Sequence, residues 1–186
     1  YDLNPSSGDY ALYQYAIMQG LLKDHSGKIS TIDNLTSRFP SSGLIPQALL
    51  EKAESQSATG NTSAAIRTYN DLVSRYPSTA PGRNGYLQLA ITYINSGERS
   101  KGIDTYKKVI RTFPSSEEAR IAADDLKQIY AADGRLNELV NFLKSVPNAP
   151  SYEESELEQT AYQAAENTYI NTGATDGLLG YIKEYP

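Results

Sequence analysis

The sequence predicts an all-α protein, a row of antiparallel helix hairpins, and three observations carry that expectation. The stretch from Gly97 to Pro114 is a variation on Gly60 to Pro77, displaced by 37 residues. Apolar residues recur at spacings of three and four, as at Tyr86, Leu87, Leu89, Ala90, Ile91, Tyr93 and Ile94, the signature of a helix with a broad buried face. Glycine and proline fall at fixed places in each unit. A single helix pair leaves an apolar face that only a neighbouring pair can bury, so a self-similar unit of this size implies a stacked array.

Stop and start signals divide the chain. Ser37-Arg38-Phe39-Pro40 returns as Ser74-Arg75-Tyr76-Pro77 and as Arg111-Thr112-Phe113-Pro114, with fainter echoes ending at Pro147 and Pro186. Proline ends a helix because it lacks an amide donor and restricts the residue before it. Gly60, Gly97, Gly134 and Gly173 mark the turn within each hairpin, and Lys23 holds that place in the first unit. First helices are therefore expected near 7–22, 46–59, 81–96, 116–132 and 151–172, and their partners near 25–38, 62–75, 99–112, 135–146 and 174–185. Pro46 and Pro81 suit a first helical turn, where a missing N–H costs nothing. Ser115 with Glu118, and Ser151 with Glu154, have the capping-box spacing. In the last two units glycine precedes proline by 13 residues rather than 17, so their second helices should be shorter by about one turn of ~3.6 residues.

Small residues mark where the two helices of a unit approach. Ala16, Ala53 and Ala90 on the first helix face Ala65 and Gly102 on the second, where low volume permits close packing. Lys28 breaks the series and is expected to extend its ammonium to water or to leave that contact looser.

Composition excludes several classes. A 39% hydrophobic chain of 186 residues can bury a sizeable core, and the whole of 1–186 reads as one repeat domain of about five helix pairs. Net charge is −5 with both signs dispersed, which offers no phosphate-binding field, so nucleic acid is not an expected partner. Cysteine is absent, removing disulfides, thiolate nucleophiles and thiolate metal sites. No apolar run approaches the roughly 20 residues that span a bilayer. The opening at Tyr1 and the close on Tyr185-Pro186 fit a portion of a longer repeat protein, possessing in its missing N-terminus an export signal or none.

Unit three reads Tyr86, Leu89, Ala90, Tyr93, Gly97, Gly102, Tyr106 and Pro114; unit two reads Leu49, Ala53, Gly60, Ala65, Tyr69 and Pro77. In this the chain resembles the tetratricopeptide repeat family. Unit one supplies Leu12, Tyr15, Ala16, Ile32 and Pro40. Unit four keeps Ala123, Leu126, Tyr130, Gly134 and Leu143, with Lys127 at a small position. Unit five keeps Tyr162, Ala165, Tyr169, Gly173, Leu178 and Ile182. The resemblance implies a right-handed superhelix whose first helices line a concave groove for a peptide or partner protein. Groove positions carried over from it are Asn84, Leu87, Ile91 and Ile94 in unit three, and Gln47, Leu50, Glu54 and Ser57 in unit two. Unit one contributes Tyr10, Tyr13 and Ile17, and unit four Ile121, Asp124 and Gln128. Tyr76-Pro77-Ser78-Thr79 before a helix also looks like envelope members of the family, of outer-membrane assembly and Tol-Pal type. It implies a periplasmic setting or the periplasmic face of the outer membrane, with the cytoplasm left open.

Catalysis is not expected, and no metal or cofactor is. His25, the sole histidine, sits at a turn with no cysteine for a dyad, and residues adjacent in sequence make a poor relay. The run Glu153, Glu154, Glu156 and Glu158 lacks the alternating ligands and turn glycine of a calcium loop and suits a helix N-terminus. Asp124-Asp125 and the basic set Lys107, Lys108 and Arg111 read as solvated faces. The triplets Asn34-Leu35-Thr36 and Asn61-Thr62-Ser63 match the short glycosylation pattern but arise easily by chance. Two alternatives to protein binding stand: a structural spacer, and a glycan-binding module using Tyr10, Tyr13 and Tyr152, whose rings offer flat apolar area beside a hydroxyl.

Overall fold

A computed structural model describes residues 5–185, with side chains from Gly8 onward. Ten α-helices and no strand occur among the described residues: α1 (Pro5–Leu21), α2 (His25–Arg38), α3 (Ile45–Ala58), α4 (Thr62–Arg75), α5 (Ala80–Asn95), α6 (Arg99–Thr112), α7 (Glu117–Ala132), α8 (Leu136–Lys144), α9 (Glu154–Thr172) and α10 (Asp176–Glu184). The fold is an all-α helix-hairpin solenoid, and every helix lies where the repeat predicts it, to within a few residues at the ends. The chain divides into two compact units, 1–105 and 106–186, with the division inside α6.

The hairpin turns have one cause. Gly60, Gly97 and Gly134 sit in the left-handed region at φ 75°, 83° and 65°, and Lys23 adopts φ 61° at the matching place. At each, the next residue's N–H reaches back five positions: Asp24 to the Gln19 carbonyl, Asn61 to Gln56, Glu98 to Tyr93 and Arg135 to Tyr130, all at 2.8–2.9 Å. This is the Schellman closure, which satisfies carbonyls that a helix end would leave bare. Gly173 uses the simpler form, its own N–H bonding the Tyr169 carbonyl at 2.7 Å.

The start of the second helix repeats as well. Asp24 accepts from the Gly27 N–H at 2.9 Å, and Asn61 from Ala64 at 3.3 Å. Thr79 and Ser116 cap α5 and α7, bonding Gly82 and Ala119 at 3.1 Å each. Both expected capping boxes are therefore displaced. α7 starts one residue later than Ser115 allows, and α9 starts at Glu154 behind Glu153, which makes no side-chain cap bond.

In unit 1 the core runs along the small seam, with Ala16, Ala53, Ala65 and Ala90 wholly buried beside Ile32, Leu35, Tyr69 and Leu72. Where α4 meets α5, Gly85 admits Leu72 and Val73: a Cβ there would stand 2.7 Å from Leu72 Cδ2. Gly102 admits Ile94 in the same way, at 2.6 Å. One polar device recurs at the 37-residue step. Thr31 donates to Gln19 at 2.7 Å between α2 and α1, and Thr68 donates to Gln56 at 2.7 Å between α4 and α3.

Unit 2 is less densely filled. Leu126, Val109, Ile110 and Leu139 form its buried centre. The second helices α8 and α10 have nine residues against fourteen in α4, the lost turn that the sequence spacing predicts. α10 buries no residue completely, and α9 only Thr160 and Ala165.

Candidate functional site

The groove positions of unit 1 lie on α1, α3 and α5 at three depths. Leu50 and Leu87 are buried and form the floor. Gln47, Glu54, Asn84 and Ile94 are half-buried, while Ser57 and Ile91 are exposed, Ile91 at 36%. On α1, Tyr13 and Ile17 are half-buried and Tyr10 is exposed. The face thus offers a shallow apolar floor beneath amide, carboxylate and hydroxyl groups, with no lysine or arginine among these positions.

Glu51, which sequence reasoning did not select, organises this face. It takes the Lys28 ammonium at 2.5 Å, lies 3.5 Å from Gln47 Nε2, and raises the pKa values of both Tyr13 and Glu54. Burial is the larger cause for each. Tyr13 is hydrogen-bonded to Gln47 across α1 and α3, and Lys28 partly offsets the shift at Glu54. Tyr69, hydrogen-bonded to Ser57, is pushed up to about 12, chiefly by burial. Gln47 thus links Tyr13 of α1 to Glu51 of α3, and Glu54 lies within the field of that same carboxylate.

Lys28 departs from expectation. Rather than reaching to water, it packs its stem beside Gly20, 3.1 Å from where a Cβ would be, and turns its ammonium onto Glu51. Lys52 makes a second tie between the same helices, reaching Asp33 at 2.5 Å.

In unit 2, Gln128 is exposed on α7, with Ile121 and Asp124 half-buried. Asp124 does not lie on a merely solvated face. It accepts from Arg120 and from the Tyr152 hydroxyl, both at 2.9 Å, and Asp125 accepts from Tyr106 at 2.6 Å. Burial, then these carboxylates, raise the pKa of both phenols. Lys127, at a small position like Lys28, is likewise buried on a glutamate, Glu156, with its ammonium 4.2 Å from the Tyr152 ring centroid. The acidic run before α9 thus supplies an ion-pair partner as well as charge near a helix start. Lys107 and Arg111 lie over the Phe142 ring at 5.3 and 5.0 Å, so that basic set too is partly engaged in packing.

His25 heads α2 with a buried Nδ1 that has no hydrogen-bond partner, and the neighbouring Asp24 carboxylate is occupied by the Gly27 cap. No group of three or more histidines, cysteines, aspartates or glutamates that could hold a metal occurs among the described residues. No described helix is long and apolar enough to cross a membrane. A cleft of about 340 Å³ in unit 2 is walled largely by Ala161, Ala164, Ala165, Gly177 and Gly180.

The tetratricopeptide repeat profile matches residues 47–79 and 85–116, the two units whose turns, caps and small seam are most regular. Over those two segments the chain is similar to tetratricopeptide repeats. The likeness in fold extends further: two crystal structures of MamA superpose with TM-scores of 0.59 and 0.61, at 16% and 15% identity. They cover 89% and 96% of this chain and 82% and 90% of theirs. A kinesin light chain of Podosopora anserina with nearly identical TPR-like repeats gives 0.58 at 15% identity, covering 97% of this chain and 95% of its own. At such identities the tetratricopeptide likeness is one of fold. No match to a curated protein was found.

Proposed function

We propose that the chain is a non-enzymatic interaction scaffold, whose α1, α3 and α5 face in unit 1 holds an extended peptide or a partner helix. The observation that carries this reading is the layered face of a matched repeat: buried Leu50 and Leu87, half-buried Gln47, Glu54, Asn84 and Ile94, and exposed Ile91. Amide groups beside a shallow apolar floor suit a ligand that brings both main-chain polar groups and side chains. The absence of cations from these positions speaks against a carboxylate as the anchoring group. The five hairpins are proposed to serve as one repeat domain, in the cell envelope as the local phrase Tyr76-Pro77-Ser78-Thr79 implies.

A random-peptide display selection on the folded chain, followed by Ile91→Asp and Gln47→Ala, tests the face. Binding of the selected peptides should fall by about tenfold or more while helical content holds, because both side chains are partly in water. Retained binding by both variants would reject the face. For the glycan alternative, Tyr152 is already committed to Asp124 and Tyr13 to Gln47, which leaves Tyr10 alone of the three on the surface.

A further inference from the structure

One carboxylate on the unit 1 face stands apart from the other acids of that unit. Asp9, Asp24, Asp33, Glu51, Asp71 and Glu98 each hold a hydrogen-bond or ion-pair partner. Asp104 is exposed and needs only water. Glu54 is half-buried on α3 and makes neither a hydrogen bond nor an ion pair among the described residues. The cation that acts on it, Lys28, is bound to Glu51, and Glu51 itself repels it. His25 Nδ1 is the sole sealed-off side-chain polar atom without a partner among the described residues, so water, and hence a ligand, reaches the Glu54 oxygens. A partly dehydrated charge without a partner is costly, and a cation brought by a ligand removes that cost.

The surroundings of Glu54 indicate what else such a ligand carries. The positions 37 residues to either side of it are Ile17 on α1, half-buried, and Ile91 on α5, exposed. α3 packs against α5, and the Tyr13 hydroxyl of α1 is bonded to Gln47 of α3. Both Tyr13 and the buried Tyr69 lie within the field of the Glu54 charge. The face therefore presents one unpaired acid with an isoleucine at the same register on each neighbouring first helix. No groove position of unit 1 carries a lysine or arginine that would repel a cation. An acidic segment would instead set a third carboxylate against Glu51 and Glu54.

Given that α1, α3 and α5 form a peptide groove, the reading on which this rests, we propose that the segment held there is basic: an arginine side chain binds the Glu54 carboxylate, and apolar residues on either side of it rest on Ile17 and Ile91. Arginine suits this acid better than lysine, because a guanidinium is less strongly hydrated than an ammonium and meets a carboxylate through two parallel bonds.

Arrayed nonapeptides with acetylated and amidated ends test this against the whole chain. Every position but the fifth is randomised over uncharged residues, and the fifth is arginine, citrulline or glutamate. The strongest arginine binders are then titrated by fluorescence anisotropy beside their citrulline twins. Arginine peptides should supply the strongest binders, and citrulline, which keeps the shape and loses the charge, should weaken them about tenfold or more. Glu54→Gln should erase that difference while helical content by circular dichroism holds, whereas Ile91→Ala should weaken both twins alike. Citrulline peptides that equal their arginine twins, yet lose affinity on Ile91→Ala, would overturn the basic contact and leave the groove standing. An arginine preference that survives Glu54→Gln would overturn it too, as would glutamate peptides binding best. Citrulline peptides with a free amino end that match the capped arginine ones would assign Glu54 to a terminal ammonium instead. Binders indifferent to Ile91→Ala, or no binder at millimolar concentration, would reject the groove and the basic contact together.

Discussion

Lys23 adopts a left-handed conformation that its four counterparts reach with glycine, and a side chain there costs energy. Lys23→Gly should stabilise the chain by about 0.5–1 kcal/mol, read from the urea midpoint at constant slope. Gly82 makes the opposite case, since a Cβ would sit 1.9 Å from the Tyr76 carbonyl oxygen, and backbone cannot give way as a side chain can. Gly82→Ala should destabilise by roughly 2 kcal/mol or more despite alanine's better helix propensity, again by urea unfolding. Glu54 is raised by burial and by Glu51, so its charge opposes folding: the stabilisation of its protonated form is complete below the ordinary carboxylate range and is lost as pH rises through its elevated value. Glu54→Gln should therefore raise Tm at neutral pH by roughly 1–2 °C, a small effect because water still screens the group, and the gain should vanish in acid. Periodicity marked position 23 as special, but nothing local in the sequence reveals that Glu51, rather than solvent, takes the Lys28 ammonium.

At the scale of elements, helix positions were legible because proline stops, glycine turns and apolar spacing agree in every unit. Cap identity was less so. Ser115 and Ser116 are adjacent candidates, and the capping-box spacing singles out the one that does not cap. The pairing of charged residues was illegible for a different reason: it depends on which side chains two helices bring together 23 or 29 residues apart, as in Lys28 with Glu51 and Lys127 with Glu156. These pairs give a test of how α2 is held on α3. Glu51→Gln leaves Lys28, whose side chain is only 10% exposed, without its anion and should cost roughly 2 kcal/mol or more. Adding Lys28→Met should recover most of that loss in thermal or urea unfolding, since removing both charges of a buried pair is often nearly neutral.

Across the molecule, the proposed binding face was readable as positions but not as depth. Leu50 and Leu87 share the face with Ile91, yet burial makes them its support and leaves Ile91 to the ligand. Burial is also uneven between the two compact units, and amide exchange should follow it. α10 amides should exchange fastest among the helices and those of α3 and α4 slowest, because local opening costs least where few apolar groups are covered. A different consequence follows from the paired bonds Gln19 to Thr31 and Gln56 to Thr68. Since the same handshake recurs at the same stride, a duplicate of residues 41–77 spliced in after Pro77 would find its own Gln and Thr already in phase. Lys52 in the duplicate would meet Asn70 in place of Asp33, a milder neighbour for a partly hydrated amine. The gene could thus lengthen by whole hairpins with little repair to the joints.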